Sequence, residues 1–214
     1  MKRALVLYGG WQGHDPVGSA GLAGRLLESA GIDVELSDRL ERLDDAPALK
    51  EFDLIVPVWT MGELTRERER NLLSAVEAGT GLAGWHGGMG DAFRSSLDYK
   101  MMVGGQFVSH PGNVRSYRVR ITDSSDPITR GLSDFDIESE QYYMHVDPSN
   151  EVLAETTFPG EEMPWLEGVV MPVAWKRRWG DGKVFYLSIG HVVAEFDIPQ
   201  ARRILERGMR WACR

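Results

Sequence analysis

At 214 residues with 43% hydrophobic content, the chain can bury one sizeable core, and no Pro/Ser-rich linker or compositional break divides it, so a single domain over 1–214 is expected. No apolar run approaches the roughly 18 residues that span a membrane, and 32 acidic against 24 basic residues leave a formal charge of -8 that disfavours nucleic acid as a partner. The lone cysteine, Cys213, excludes an internal disulfide and a cysteine metal cluster and fits a reducing, cytoplasmic setting.

The opening MKRALVLYGG has two basic residues and an apolar run too short for a signal core. Residues 4–8 therefore read as a first buried strand, leading into the loop GGWQGHDP. Leu22, Leu26 and Leu27, with Gly31 as a stop, predict a helix over 17–30. Ile, Val and Leu alternating with acids over 32–36 predict a second strand, followed by a polar connector with a short helix. The near-continuous apolar run DLIVPVW, 53–59, is the kind of strand that parallel sheets bury on both faces. A helix over 65–78 keeps Leu72, Leu73 and Val76 on one side and ends at Gly79. The Arg-rich pieces 65–70 and 202–210 interleave acids at helical spacing and read as solvated faces.

The stretch GTGLAGWHGGMGD, 79–91, organises the chain. Residues 82–85 read as a buried strand, and the glycines that follow permit a sharp turn and a close backbone approach. That turn presents His86 at a strand's carboxyl end, the edge where open α/β sheets bind ligands. Four alternations of strand and helix in this half predict a parallel, doubly wound sheet with helices on both faces. The second half changes character. Residues 114–122 and 152–156 read as strands, and 169–175 pairs with 184–189 through WGDGK, whose Asp-Gly step signals a hairpin. A helix with Pro199 at its start closes the chain over 199–211.

Five histidines carry the next signal. His14 follows the first strand, His86 the fourth and His191 the strand VFYLSIG, so these three are expected at one sheet edge. His110 lies in QFVSHPG and His145 ends EQYYMH. None falls in a predicted helix interior, and convergence at a shared site is the expectation. Satisfied loop histidines are the plainer alternative.

GLAGWHGGMGDAFR, GGQFVSHPG, ESEQYYMHVD and GKVFYLSIGHVVAEF together resemble the corresponding segments of the ThuA-like family, the trehalose utilisation proteins, over about the whole chain. That family belongs to the class I glutamine amidotransferase-like superfamily. The resemblance implies a flavodoxin-like three-layer α/β sandwich with a mainly parallel sheet, joined here by antiparallel strands in the C-terminal half. In the amidotransferases the turn after the strand is Gly-x-Cys-x-Gly. Here it is Gly84-Trp85-His86-Gly87-Gly88, so His86 holds the nucleophile's place, His191 matches the later superfamily histidine, and Val193 stands where an acid is expected. Amidotransfer through a thioester has no nucleophile in this chain.

Two roles remain for the histidines. His14, His86, His145 and His191, with Glu140, suit a divalent metal such as zinc, manganese, iron or nickel, although no HExxH or i, i+4 pair supports that by spacing. Alternatively His86, His191 and His145, with Glu140, are proton donors and acceptors, Glu140 and Asp147 orienting His145; surface charge or helix capping is the bland reading of those two acids. Trp11, Trp59, Trp85, Tyr142 and Tyr143 lie in or beside the candidate loops, where flat aromatic faces suit sugar rings. His14, Asp91 and His110 complete the candidate sugar-binding set. Arg94 and Gln106 are further hydrogen-bonding candidates.

The resemblance implies a role in carbohydrate catabolism of the trehalose-utilisation type. The expectation is an enzyme acting on a disaccharide or keto-sugar as a lyase, hydrolase or isomerase. The competing expectation is a non-catalytic sugar-binding or regulatory protein that kept the pocket after losing the nucleophile. The final helix, or the edge of the 169–189 hairpin, offers a face for a two-fold homodimer.

Overall fold

The computed structural model describes residues 1–214. Nine strands form one sheet, in the order β2-β1-β3-β4-β11-β10-β9-β6-β7. Its first five members are parallel: β1 (Arg3–Gly10), β2 (Asp33–Ser37), β3 (Leu54–Thr60), β4 (Gly81–Trp85) and β11 (Gly182–Leu187). The rest pair antiparallel: β6 (Val114–Ile121), β7 (Phe135–Glu140), β9 (Glu151–Thr157) and β10 (Val170–Trp179).

The period-two alternation of β1 divides the core. Ala4 and Val6 face one layer, against α1 (Pro16–Ser29) and α6 (Pro199–Ala212), while Leu5 and Leu7 face the other, against α2 (Ala46–Leu49), α3 (Arg66–Glu77) and α5 (Leu97–Val103). This is the three-layer α/β sandwich that the sequence leads one to expect. Asp15 and Thr65 cap α1 and α3 by accepting from the Gly18 and Arg68 amides. Arg68 on α3 reaches beyond its own helix to Asp44 and Glu41 rather than to the acids interleaved with it.

The hairpin between β10 and β11 turns one residue earlier than the Asp-Gly step suggests. Trp179 pairs with Gly182, so Gly180 and Asp181 form the two-residue turn. Gly180 supplies the positive φ, +57°, that such a turn requires. Four short elements escape the sequence reading: α5, β7, and a separate antiparallel pair of β5 (Gly105–Ser109) with β8 (Tyr143–Val146).

Strand β7 lies five places from β4, and at about 4.8 Å per strand a flat sheet would separate them by roughly 24 Å. Yet Glu140, the last residue of β7, lies 3.1 Å from the His86 ring that follows β4. The antiparallel half must therefore curl back over the carboxyl edge of the parallel half. Register shifts between β9 and β10 at Pro172–Ala174 and Ala174–Trp175 supply the bends.

Candidate functional site

Strands β1, β3, β4 and β11 all end at one edge, and each delivers part of the site there. Beyond β1, Trp11 and His14 occupy a short turn whose Trp11 amide donates to the Thr60 carbonyl at the end of β3. Beyond β4 the chain enters α4 (His86–Gly90), with His86 itself at φ +46°. The left-handed residue of this turn is thus the histidine rather than a glycine. The Tyr186 hydroxyl donates to its carbonyl, and its ring Nδ1 lies 2.8 Å from the Ser188 carbonyl oxygen, so packing beyond the turn holds the unfavourable conformation. The glycines serve by being small. A Cβ on Gly87 would lie 2.6 Å from His14 Cε1 and 3.1 Å from Thr60 Oγ1.

Glu140 is the centre of the arrangement. Its Oε2 lies 3.1 Å from His86 Nε2, 3.4 Å from His191 Nδ1 and 4.0 Å from His14 Nε2, while its Oε1 lies 3.6 Å from His110 Nε2. Burial pushes the Glu140 carboxyl up, but the His191 and His86 rings outweigh it and hold the group well below the usual carboxylate range. The same contact with Glu140 raises His191 against its burial. Burial, reinforced by His86 and His191, pushes His14 down to about 3, so its ring is neutral at pH 7. His14, His86, Glu140 and His191 each place one donor atom within 4.8 Å of the others, a set that could hold a cation.

Above these groups lies a cavity of about 110 Å³, lined by Trp11, His14, Thr60, Met61, Asp91, Arg94, Phe107, His110, Glu140 and Tyr142. Tyr142 stacks on His86 with ring centroids 4.1 Å apart, and Trp11 meets His14 edge-on at 4.7 Å. Asp91 is buried and receives the exposed Arg94 guanidinium through two hydrogen bonds of 2.7 and 2.8 Å. Buried Lys100 donates to the Gly90 and Ala92 carbonyls and so pins the turn that carries Asp91; burial pushes its amine down to about 8.

His14, His86, His110, His191 and Glu140 converge, but His145 does not. The period-two alternation of β8 buries Met144 and turns His145 outward, where its Nδ1 lies 3.4 Å from Gln106 Nε2 on β5. His110 occupies the place beside Glu140 expected of His145. Asp147 does not orient His145 either: it accepts from Ser149 and pairs with Arg177, as a turn residue does.

Trp11, Asp91 and Tyr142 line the cavity, whereas the other aromatic candidates pack elsewhere. Trp59 covers Gly9 and Gly62, Trp85 is buried against Phe196, and Tyr143 packs on Phe158. Sequence reasoning missed Thr60, whose Oγ1 lies 2.9 Å from His14 Nδ1, and also Met61 and Phe107. It also missed Glu195. This buried carboxylate accepts from the Gly190 and His191 amides and from Ser139, fixing the His191 loop rather than the imidazole. Cys213 is buried beside Lys2 and Asp53, at the opposite edge of the sheet.

Gly87→Ala is expected to push the His14 ring outward at a cost of about 1 to 3 kcal/mol, since the backbone there tolerates alanine and only the overlap must be relieved. The His14 ring, resolvated, should titrate higher than in the parent, which an NMR pH titration reads directly. An unaltered His14 titration would show that the Gly87 contact does not position it.

The family model described as ThuA, trehalose utilisation, matches residues 3–212. No curated protein sequence matches. Among solved structures, a protein from Bacteroides uniformis described as ThuA-like superposes with a TM-score of 0.81 at 19% identity, covering 99% of this chain and 91% of that one. Another described as ThuA-like, from Parabacteroides merdae, gives 0.78 at 19% identity, with 99% and 90% coverage. A cytoplasmic protein from Salmonella typhimurium gives 0.67 at 13% identity and covers both chains fully, at 100% each. At these identities the structural likenesses establish the fold.

Proposed function

Because the chain belongs to the ThuA trehalose-utilisation family, we propose that it is an enzyme of disaccharide catabolism whose substrate is a keto-disaccharide or keto-sugar. The observation that carries this reading is the cavity over Glu140. Its walls combine the flat faces of Trp11, Phe107 and Tyr142 with the hydrogen-bonding groups of Asp91, Arg94 and His110. Aromatic faces pack on the apolar faces of sugar rings, and buried polar groups select hydroxyls. The ThuA description, trehalose utilisation, supports a sugar as the occupant.

A ring carbonyl acidifies the hydrogen on the carbon beside it. Removing that proton opens elimination, hydrolysis or isomerisation. His110 lines the cavity and keeps its Nε2 3.6 Å from Glu140 Oε1, which suits it to exchange a proton with a bound substrate. Glu140 lies behind it, where its carboxylate stabilises the imidazolium that His110 becomes on taking the proton. Glutamine amidotransfer is left without a thiol, since Cys213 is remote from the site.

A cytoplasmic location is part of the same proposal. No helix is long and apolar enough to cross a membrane, and the Salmonella relative carries a cytoplasmic description.

The test is to incubate the protein with trehalose and with its singly oxidised keto-derivative and to follow both by mass spectrometry and chromatography. Conversion of the keto-sugar is expected, with kcat lowered about 10²- to 10⁴-fold in His110→Ala. Retained binding without any conversion would overturn the enzymatic reading and leave a sugar-binding protein.

A further inference from the structure

The His86 ring sets an unusual condition on its surroundings. Its Nδ1 is 2.8 Å from the Ser188 carbonyl oxygen, an atom that can only accept a hydrogen bond. The proton of the neutral ring therefore resides on Nδ1, and Nε2 presents a lone pair. That lone pair faces Glu140 Oε2 at 3.1 Å, acceptor against acceptor. Two neighbours also turn a ring nitrogen toward Glu140. His14 has its Nδ1 engaged with Thr60 Oγ1, leaving Nε2 directed inward, and His191 Nδ1 is a buried nitrogen with no hydrogen-bond partner, 3.4 Å from the same oxygen.

We propose that His14 Nε2, His86 Nε2, His191 Nδ1 and Glu140 Oε2 bind one divalent first-row transition-metal ion. Four electron-pair donors bearing a single negative charge converge, and a cation between them turns each mutual repulsion into a bond. Ligand atoms about 2.1 Å from a common ion lie about 3.0 to 3.4 Å apart when adjacent and about 4.2 Å apart when opposite. The separations from Oε2, 3.1, 3.4 and 4.0 Å, fall within that span. The widest pair in the set, at up to 4.8 Å, closes with a few tenths of an ångström of side-chain rotation.

Three imidazole nitrogens with one carboxylate oxygen suit zinc, cobalt, nickel, iron or manganese, whereas calcium and magnesium prefer all-oxygen shells. The surroundings behave as an outer shell should. The Ser188 carbonyl fixes the His86 tautomer, Thr60 orients His14, and Tyr142 covers the His86 face. His14 and Glu140 also line the cavity, so an ion held there has an open side toward it.

Cobalt(II) is the probe, added to full-length protein that has been stripped with chelator and dialysed. The expected result is saturation at one equivalent, with visible d–d bands that disappear when zinc is added. Glu140→Gln and His14→Gln should each weaken binding by at least about 100-fold while keeping the parent's far-UV spectrum. His145→Ala, which alters only the outward histidine, should bind as the parent does. The proposal is overturned if cobalt, zinc, manganese and nickel all fail to bind the parent stoichiometrically. It is overturned equally if both glutamine variants bind like the parent, which would place the ion elsewhere. These readouts require no sugar, so their failure is separate from failure of the keto-sugar proposal.

Discussion

Glu140→Gln in chelator-treated protein is expected to cost about 2 to 3 kcal/mol of stability near pH 5.5 and to lower any turnover at least about 10³-fold. The stability figure is that of a buried contact between charged groups, here Glu140 Oε2 with the His191 ring 3.4 Å away once that ring is protonated. Its pH dependence has a definite sign. His191 is raised above its ordinary 6.5, so its share is complete below about that pH and is lost as the pH rises through the elevated folded value. Glu140 is held below its ordinary 4.5, so its share is complete above that pH and is lost as the pH falls through the depressed value. Both contributions are full between about pH 4.5 and 6.5. His14, pushed down to about 3, is neutral through most of that window and largely cancels from the difference. Urea midpoints for both proteins between pH 4 and 9 would trace the curve. A difference that is flat with pH would mean that Glu140 acts through packing alone.

Trp175→Ala should be the most destabilising single change away from the site. Trp175 leads the fully buried side chains, its Nε1–H donates to the Val103 carbonyl, and its ring packs beside Tyr186 at 4.4 Å. Truncation leaves a cavity worth about 3 to 5 kcal/mol and strands a buried carbonyl. In a chain of this size that is a fall in Tm of roughly 10 °C or more. Trp175→Phe, which refills most of the space but not the hydrogen bond, should lose much less. Because the ring also lies beside Gly105, where β5 begins, the alanine variant should loosen the segment that carries Phe107 and His110. Faster amide exchange in β5 would report this. A Tm shift under about 4 °C would show that neighbouring side chains collapse into the hole.

Most of the fold is legible in the chain because its parallel half obeys strong periodicities. LIVPVW, 54–59, is apolar without interruption and β3 is buried on both faces; Leu22, Leu26 and Leu27 recur at helical spacing and face the core from α1. His14, His86 and His191 were reachable for the same reason, since each follows a strand whose direction the alternation predicts. Glu140 and His110 were harder. Glu140 enters from the far edge of the sheet, and its position depends on bends at Pro172 to Trp175 that no local pattern in β7 announces. His110 and His145 lie in or beside two strands of four and five residues, too short for periodicity to say which faces inward. Only the pairing of Gln106 with His145 decides it.

The curl that carries Glu140 to His86 also orders events in time. The groups that converge on Glu140 begin at position 14 and end at position 191 of a 214-residue chain. A ribosome adding about 5 to 20 residues per second exposes His14 roughly ten to forty seconds before His191 can join it. For nearly all of that interval the parallel core lacks β11, the strand that pairs with β4, and the carboxyl edge stays open. Assembly of the histidine cluster therefore waits until β11 and His191 have been made, and a chain interrupted before them leaves the ribosome without the site.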